Sequence, residues 1–330
     1  MKSITRRNFL KQTLAGIGGA MLVESLGSDI SRAQSANKSG VVVVKHPKAT
    51  DGTRDINKII VQNMMDESVK RITGKPSVTD AWVSLLPDFK KEDVIAIKVN
   101  TIMNTIPTHP EVVDAIAAGL AAAGVSENNI IIYDRTNEGL KKSGYKYNTG
   151  DVGVRCFGTD EEGWDYDWDN PVDILGQKKA LSSILTRCNH LINVPVLKVH
   201  LDPYGVTLSL KNHYGSVDNP RTLHKNFATA CATLNNQEAI RSKTRLIVID
   251  ALFGFWGSNT TMFVSDFAYN ALIMSKDPVA ADYIGTKILN EERAKHNQPP
   301  RNVPLLEKAA QMGLGTNDPE KIELCMVDLE

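Results

Sequence analysis

An excess of charge of either sign is missing from this sequence. Its 330 residues set 38 Lys+Arg against 38 Asp+Glu, a formal net charge of zero, so no global field draws it to nucleic acid or to an anionic membrane surface. Cysteine is scarce. Cys156, Cys188, Cys231 and Cys325 stand far apart with no Cys-x-x-Cys among them, which argues against an iron–sulfur cluster, a haem attachment or a zinc ribbon. No Gly-x-Gly-x-x-Gly, Gly-x-x-x-x-Gly-Lys-Ser/Thr or Gly-x-Ser-x-Gly occurs, so a dinucleotide fingerprint, a phosphate loop and a nucleophile elbow are unsupported. Linkers rich in Pro, Gly or Ser are absent after residue 40, and no internal repeat of solenoid length is apparent, which favours one large domain over residues 36–330.

The N-terminus reads as an address. Thr5-Arg6-Arg7-Asn8-Phe9-Leu10-Lys11 precedes an apolar, Gly/Ala-containing run from Thr13 to Leu26. Paired arginines before a moderately apolar segment are the pattern of a twin-arginine signal peptide, here residues 1–35. Ser31-Arg32-Ala33 and Ala33-Gln34-Ser35 offer small-residue cleavage sites. The expectation is a periplasmic or otherwise exported protein with the twin-arginine translocase as its export partner. Glu24 interrupts the apolar run, which is short for a bilayer, and no later segment is long and apolar enough to span one.

The rest reads as alternating strands and helices. Val41–Val44, Val94–Asn100, Asn129–Tyr133, Arg245–Asp250, Ala271–Ser275 and Ile322–Val327 are β-branched or apolar runs of strand length. Helical spacing appears over Asp55–Ile72, from Pro110 to Gly124, over Phe227–Ile240, after Asp277-Pro278 and over Pro304–Met312. Thr108 and Glu111 have the spacing of a capping box. Phe253-Gly-Phe-Trp-Gly257 is a Gly/aromatic loop and a candidate lid. Strand, helix and strand between residues 94 and 133 imply a parallel pair, and ligands of such sheets sit beyond the carboxyl ends of the strands.

One stretch concentrates the chemistry. His190 to Val217 is apolar, with a turn at Asp202-Pro203-Tyr204-Gly205, yet it holds Lys198, His200, Lys211, Asn212 and His213, and Arg221 and His224 follow. A buried cation is costly unless something anionic meets it. Lys98, Lys198 and Lys211 would attract a carboxylate, a phosphate or another oxyanion, with Asn100, Thr207, Asn212, His213 and His224 as further ligand-binding candidates. Asp250 and Asp282 offer counter-charge or metal oxygens, and helix capping does not account for Asp282. Lys198 or Lys211, with an amine pKa lowered by burial, suits a base or an imine-forming amine, and His200 or His213 suits general acid–base work, so Lys198, His200 and Lys211 are the catalytic candidates. A divalent metal on His200, His213 or His224 with Asp250 is a further possibility, although their spacing fits no compact zinc motif. The competing structural account pairs the lysines with these aspartates.

Three blocks together resemble the domain-of-unknown-function 362 family. They are Val94-Ile-Ala-Ile-Lys-Val-Asn100 with Thr108-His-Pro-Glu111; Leu197-Lys-Val-His200 with Thr207-Leu-Ser-Leu-Lys-Asn-His-Tyr-Gly215; and Ile249-Asp-Ala251 with Ser275-Lys-Asp-Pro-Val-Ala-Ala-Asp282. The ferredoxin-like cysteine clusters of some members have no counterpart here. The expectation is a single α/β domain with a mainly parallel sheet flanked by helices and a site for a small anionic ligand at the strand ends. The alternative is a periplasmic binding or accessory protein that serves a redox or metallo-cofactor partner without turnover.

Overall fold

The structure, a computed structural model, describes residues 38–330 apart from residues 54, 201–202 and 259–263. The twin-arginine segment and both cleavage sites lie outside the described residues, as does Asp202 of the expected turn. The strands are β1 (Ser39–Lys45), β2 (Ile95–Lys98), β3 (Ile130–Tyr133), β4 (Arg155–Cys156), β5 (Val172–Ile174), β6 (Gln177–Lys179), β7 (His190–Asn193), β8 (Val196–Val199), β9 (Val206–Thr207), β10 (Thr244–Phe255), β11 (Phe267–Ser275) and β12 (Ile322–Asp328). The helices are α1 (Lys58–Thr73), α2 (Val78–Ser84), α3 (Pro110–Ala122), α4 (Asn137–Lys142), α5 (Ser183–Arg187), α6 (Ser209–Asn212), α7 (Phe227–Asn235), α8 (Glu238–Arg241), α9 (Pro278–Lys295) and α10 (Pro304–Gln311).

One sheet runs in the order β12–β1–β11–β10–β7–β2–β3–β4, with β8 joined to β10 and β9 to β8. The pairs β12/β1, β10/β7, β7/β2, β2/β3, β3/β4 and β10/β8 are parallel. Strand β11 runs antiparallel to β1 and β10. The architecture is therefore the mainly parallel α/β sheet flanked by helices. Its central strands are apolar on both faces because both faces are covered. Val41 and Val43 belong to one core and Val42 and Val44 to the other. Each fully buried Val or Ile contributes roughly 1.5–3 kcal/mol, so a charge at Val43 would break this edge of the sheet.

Several boundaries differ from the expected ones for local reasons. Helix α1 begins at Lys58 because the Asn57 side chain accepts from Ile60 N. Helix α2 went unforeseen; Ser77 caps it, accepting from Asp80 N. Thr108 does not cap α3. Its hydroxyl accepts from Asn100 N (2.9 Å) and donates to Val194 O (2.7 Å), while His109 takes the cap position. The expected helix over Phe227–Ile240 breaks into α7 and α8 after Asn235. Phe253–Phe255 is no lid loop but the end of β10, with Phe253 and Phe255 buried. A Cβ on Gly254 would lie 2.3 Å from the Phe267 ring of the paired strand, so only glycine admits that contact. Among the described residues no helix is long and apolar enough to cross a membrane. The four cysteines are free thiols.

Candidate functional site

Three parallel strands end on one row. Lys98 closes β2 in register with Tyr133 of β3 and Asn193 of β7. Beyond that row, β8 delivers Lys198, β9 delivers Thr207, and the single turn α6 delivers Lys211 and Asn212. Strand β9 pairs Thr207 with Lys198, and β10 pairs Phe255 with Lys198. Lys198 and Thr207 are therefore fixed by sheet backbone, and Lys211 and Asn212 by the turn of α6.

Lys98 has its own counter-charge. Its Nζ lies 2.7 Å from Asp134 Oδ1 and donates to Val99 O, and the side chain is 1% exposed. Asp134 also accepts from Thr101 N, Thr101 Oγ1 and Arg135 N. Burial lowers the Lys98 amine, with Asp134 opposing. Gly215 covers this pair, and a Cβ there would lie 2.5 Å from Asp134 Oδ1. For Lys98 the structural account holds: it is one half of a buried ion pair.

Lys198 and Lys211 differ from Lys98. No carboxylate among the described residues pairs with either one. Lys198 is 2% exposed and donates to two neutral oxygens, Asn100 Oδ1 at 2.8 Å and Ile106 O at 3.3 Å. Burial brings its pKa from 10.5 to about 7; the positive charges of Lys211 and Lys98 push the same way, while Asp134 pushes up. Lys211 Nζ lies over the rings of Tyr214 (4.7 Å) and Phe227 (5.4 Å). Burial brings it to about 8.

An amide chain runs inward from Lys198. Asn100 Nδ2 donates to Asn212 Oδ1 (3.0 Å), Asn212 Nδ2 to Asn193 Oδ1 (2.8 Å), and Asn193 Nδ2 to His213 Nε2 (3.2 Å). Each amide oxygen accepts from one neighbour and each nitrogen donates to the next, so every buried group is satisfied. An accepting Nε2 places the His213 ring proton on Nδ1, 3.5 Å from Ser216 Oγ. Burial, with Lys98 nearby, presses His213 down to about 3. It is a neutral member of the network, which does not suit the general-acid part.

Rings surround Lys211. Tyr204 packs against His200 (5.2 Å), His224 (5.0 Å) and Phe227 (4.7 Å), and Tyr214 packs against His224 (5.3 Å). His200, Tyr204 and His224 are half-buried. Burial and the Lys211 charge lower His224, whose Nδ1 is 3.2 Å from Pro220 O.

The two aspartates serve backbone. Asp282 accepts from Ser209 N (2.8 Å) and Leu210 N (3.0 Å) at the start of α6. Capping does account for Asp282, contrary to the expectation; the helix it caps is another one. Burial raises its carboxyl to about 7. Asp250 accepts from His109 N (2.8 Å), His109 Nδ1 (2.7 Å) and Leu252 N (3.2 Å). Burial opposes the charged His109 ring, but the Asp250 carboxylate outweighs it and raises the pKa. Neither aspartate neutralises Lys198 or Lys211. Among the described residues no three His, Cys, Asp or Glu side chains are grouped to hold a metal ion, so His200, His213, His224 and Asp250 do not make the metal centre considered above.

Asn193, Tyr204, Tyr214 and Phe227 belong to the site and were not foreseen. Asn193 was visible as a polar residue closing a strand, as Lys98 closes β2. The rings carried no such signal, since an isolated Tyr or Phe reads as core.

No curated protein matches the chain. Among solved structures it is similar to the lactate racemase apoprotein from Thermoanaerobacterium thermosaccharolyticum, at 12% identity and a TM-score of 0.36, over 70% of this chain and 55% of that chain. The profile of the family described as Domain of unknown function (DUF362) matches residues 95–287. That span holds Lys98, the amide chain, both unpaired lysines and Asp282, and the chain belongs to the DUF362 family.

Proposed function

We propose that this protein binds a small anion, of the carboxylate or phosphate class, between Lys198 and Lys211. The observation that carries the reading is a pair of buried amines with no carboxylate partner among the described residues. Removing an ion from water costs several kcal/mol unless a counter-charge compensates. The lowered pKa values of both lysines express that cost. A bound oxyanion would supply the missing charge, and each charge-assisted hydrogen bond to it contributes about 1.5–3 kcal/mol. The half-buried His200 and His224 supply further donors, and Tyr204, Tyr214 and Phe227 supply the apolar wall that such sites require.

In the same reading the site is that of an enzyme on a small anionic substrate. Amines that lose their proton near neutral pH are bases and nucleophiles, which ordinary surface lysines are not. The Arg6-Arg7 segment supports export by the twin-arginine translocase to the periplasm.

Thermal unfolding with phosphate, sulfate and malonate tests the binding claim. Saturation about 100-fold above Kd stabilises by about 2.7 kcal/mol, a rise of roughly 5 °C in Tm for a domain of this size. Lys211→Met is expected to fold and to lose the response. Failure of every anion to raise Tm, or an unchanged response in Lys211→Met, would refute the reading.

A further inference from the structure

We propose that Lys198 forms an imine with the carbonyl of a small oxo-carboxylate whose carboxylate is held by Lys211. The inference rests on the anion-site reading above and names its substrate class.

Lys198 Nζ has three positions besides its own carbon. Two hold hydrogens donated to Asn100 Oδ1 and Ile106 O. The third is directed by these two bonds and carries the lone pair when the amine is neutral. Asn100 is itself locked by Asn212, and Asn212 by Asn193 and Lys98 O. A nucleophile is thus oriented by a buried frame rather than by a flexible stem. The neighbouring positive charge of Lys211 disfavours protonation of Lys198, the arrangement that activates imine-forming lysines. Lys211, lying over two ring faces and lowered less than Lys198, keeps more of its charge at neutral pH. One amine is therefore suited to attack and the other to hold the carboxylate.

The step balances without a redox partner. The Lys198 lone pair forms a C–N bond to the carbonyl carbon, and the π pair of the C=O moves to oxygen. Both hydrogens of the neutral amine end on that oxygen, which leaves as water, and the nitrogen lone pair makes the C=N bond. Addition of one further proton gives the iminium form.

Pyruvate is the probe, with cyanoborohydride to reduce the imine in place. The full chain is incubated with both at neutral pH, digested and mapped by mass spectrometry. The expected product is a reduced pyruvate adduct on Lys198, formed at least tenfold faster than on any surface lysine and suppressed by malonate. Lys198→Arg cannot form an imine and is expected to give no adduct at this position. Malonate binding with no adduct on Lys198, or an adduct on Lys211 instead, overturns the imine proposal and leaves the anion site standing. Absence of both malonate binding and adduct overturns the two together.

Discussion

Replacing Lys198 by methionine should change how stability depends on pH. Folding takes this amine from an ordinary pKa of 10.5 to about 7. Between those values the unfolded chain holds a proton that the folded chain has released. Wild-type stability therefore rises with pH across this window, and the penalty is complete below it. At ~1.4 kcal/mol per pKa unit, the rise contributed by Lys198 from pH 7 to pH 9 is about 2 kcal/mol. Methionine also strands Asn100 Oδ1 and Ile106 O, at about 1–3 kcal/mol each, but that loss is the same at both pH values. Urea unfolding of wild type and Lys198→Met at the two pH values isolates the difference. The wild type should gain about 2 kcal/mol more than the variant. Parallel gains would mean that Lys198 is not a buried amine short of counter-charge.

Other perturbations separate the supporting parts. Asp134→Asn removes the partner of Lys98 and should cost about 3–5 kcal/mol, read by urea unfolding at neutral pH; a loss below about 1 kcal/mol would contradict a buried pair. Asp282→Ala strands Ser209 N and Leu210 N and should cost about 2–5 kcal/mol, with Asp282→Asn milder. Because folding raises Asp282 from 3.8 to about 7, the folded state binds the extra proton. Wild-type stability should therefore fall from pH 4 to pH 7 relative to Asp282→Asn, in calorimetry across that range. Nitrogen chemical shifts should show His213 neutral with its proton on Nδ1 at pH 5, since its pKa lies at about 3; an imidazolium at that pH would break the amide chain as described.

The long central strands and the mainly parallel sheet were legible because a sheet buried on both faces must be written in Val, Ile and Leu, as at Val41–Val44 and Ile95–Ile97, whereas the short strands β4 to β6 and the antiparallel direction of β11 were not. The convergence of polar residues was legible too, since lysines on apolar strands stand out. What each one meets was not. Lys98 finds Asp134 across β3, Lys198 finds Asn100 from a loop 98 residues away, and Asp282 reaches back 73 residues to cap α6. Such partners are set by tertiary packing and leave no periodicity in the chain. Thr108 shows the limit of local motifs: its spacing to Glu111 fits a capping box, yet two tertiary hydrogen bonds claim its hydroxyl. The break between α7 and α8 is of the same kind, because Asn235 turns inward to Leu210 O and Cys231 O.

Proton linkage of anion binding tests the central claim most directly. Titration calorimetry of malonate at about pH 8, in buffers of differing ionisation enthalpy, measures protons taken up on binding. An anion between Lys198 and Lys211 restores the charge that burial removes, so uptake on the order of one proton per chain is predicted, reduced in Lys198→Met. Binding without proton uptake would place the anion elsewhere and contradict the account.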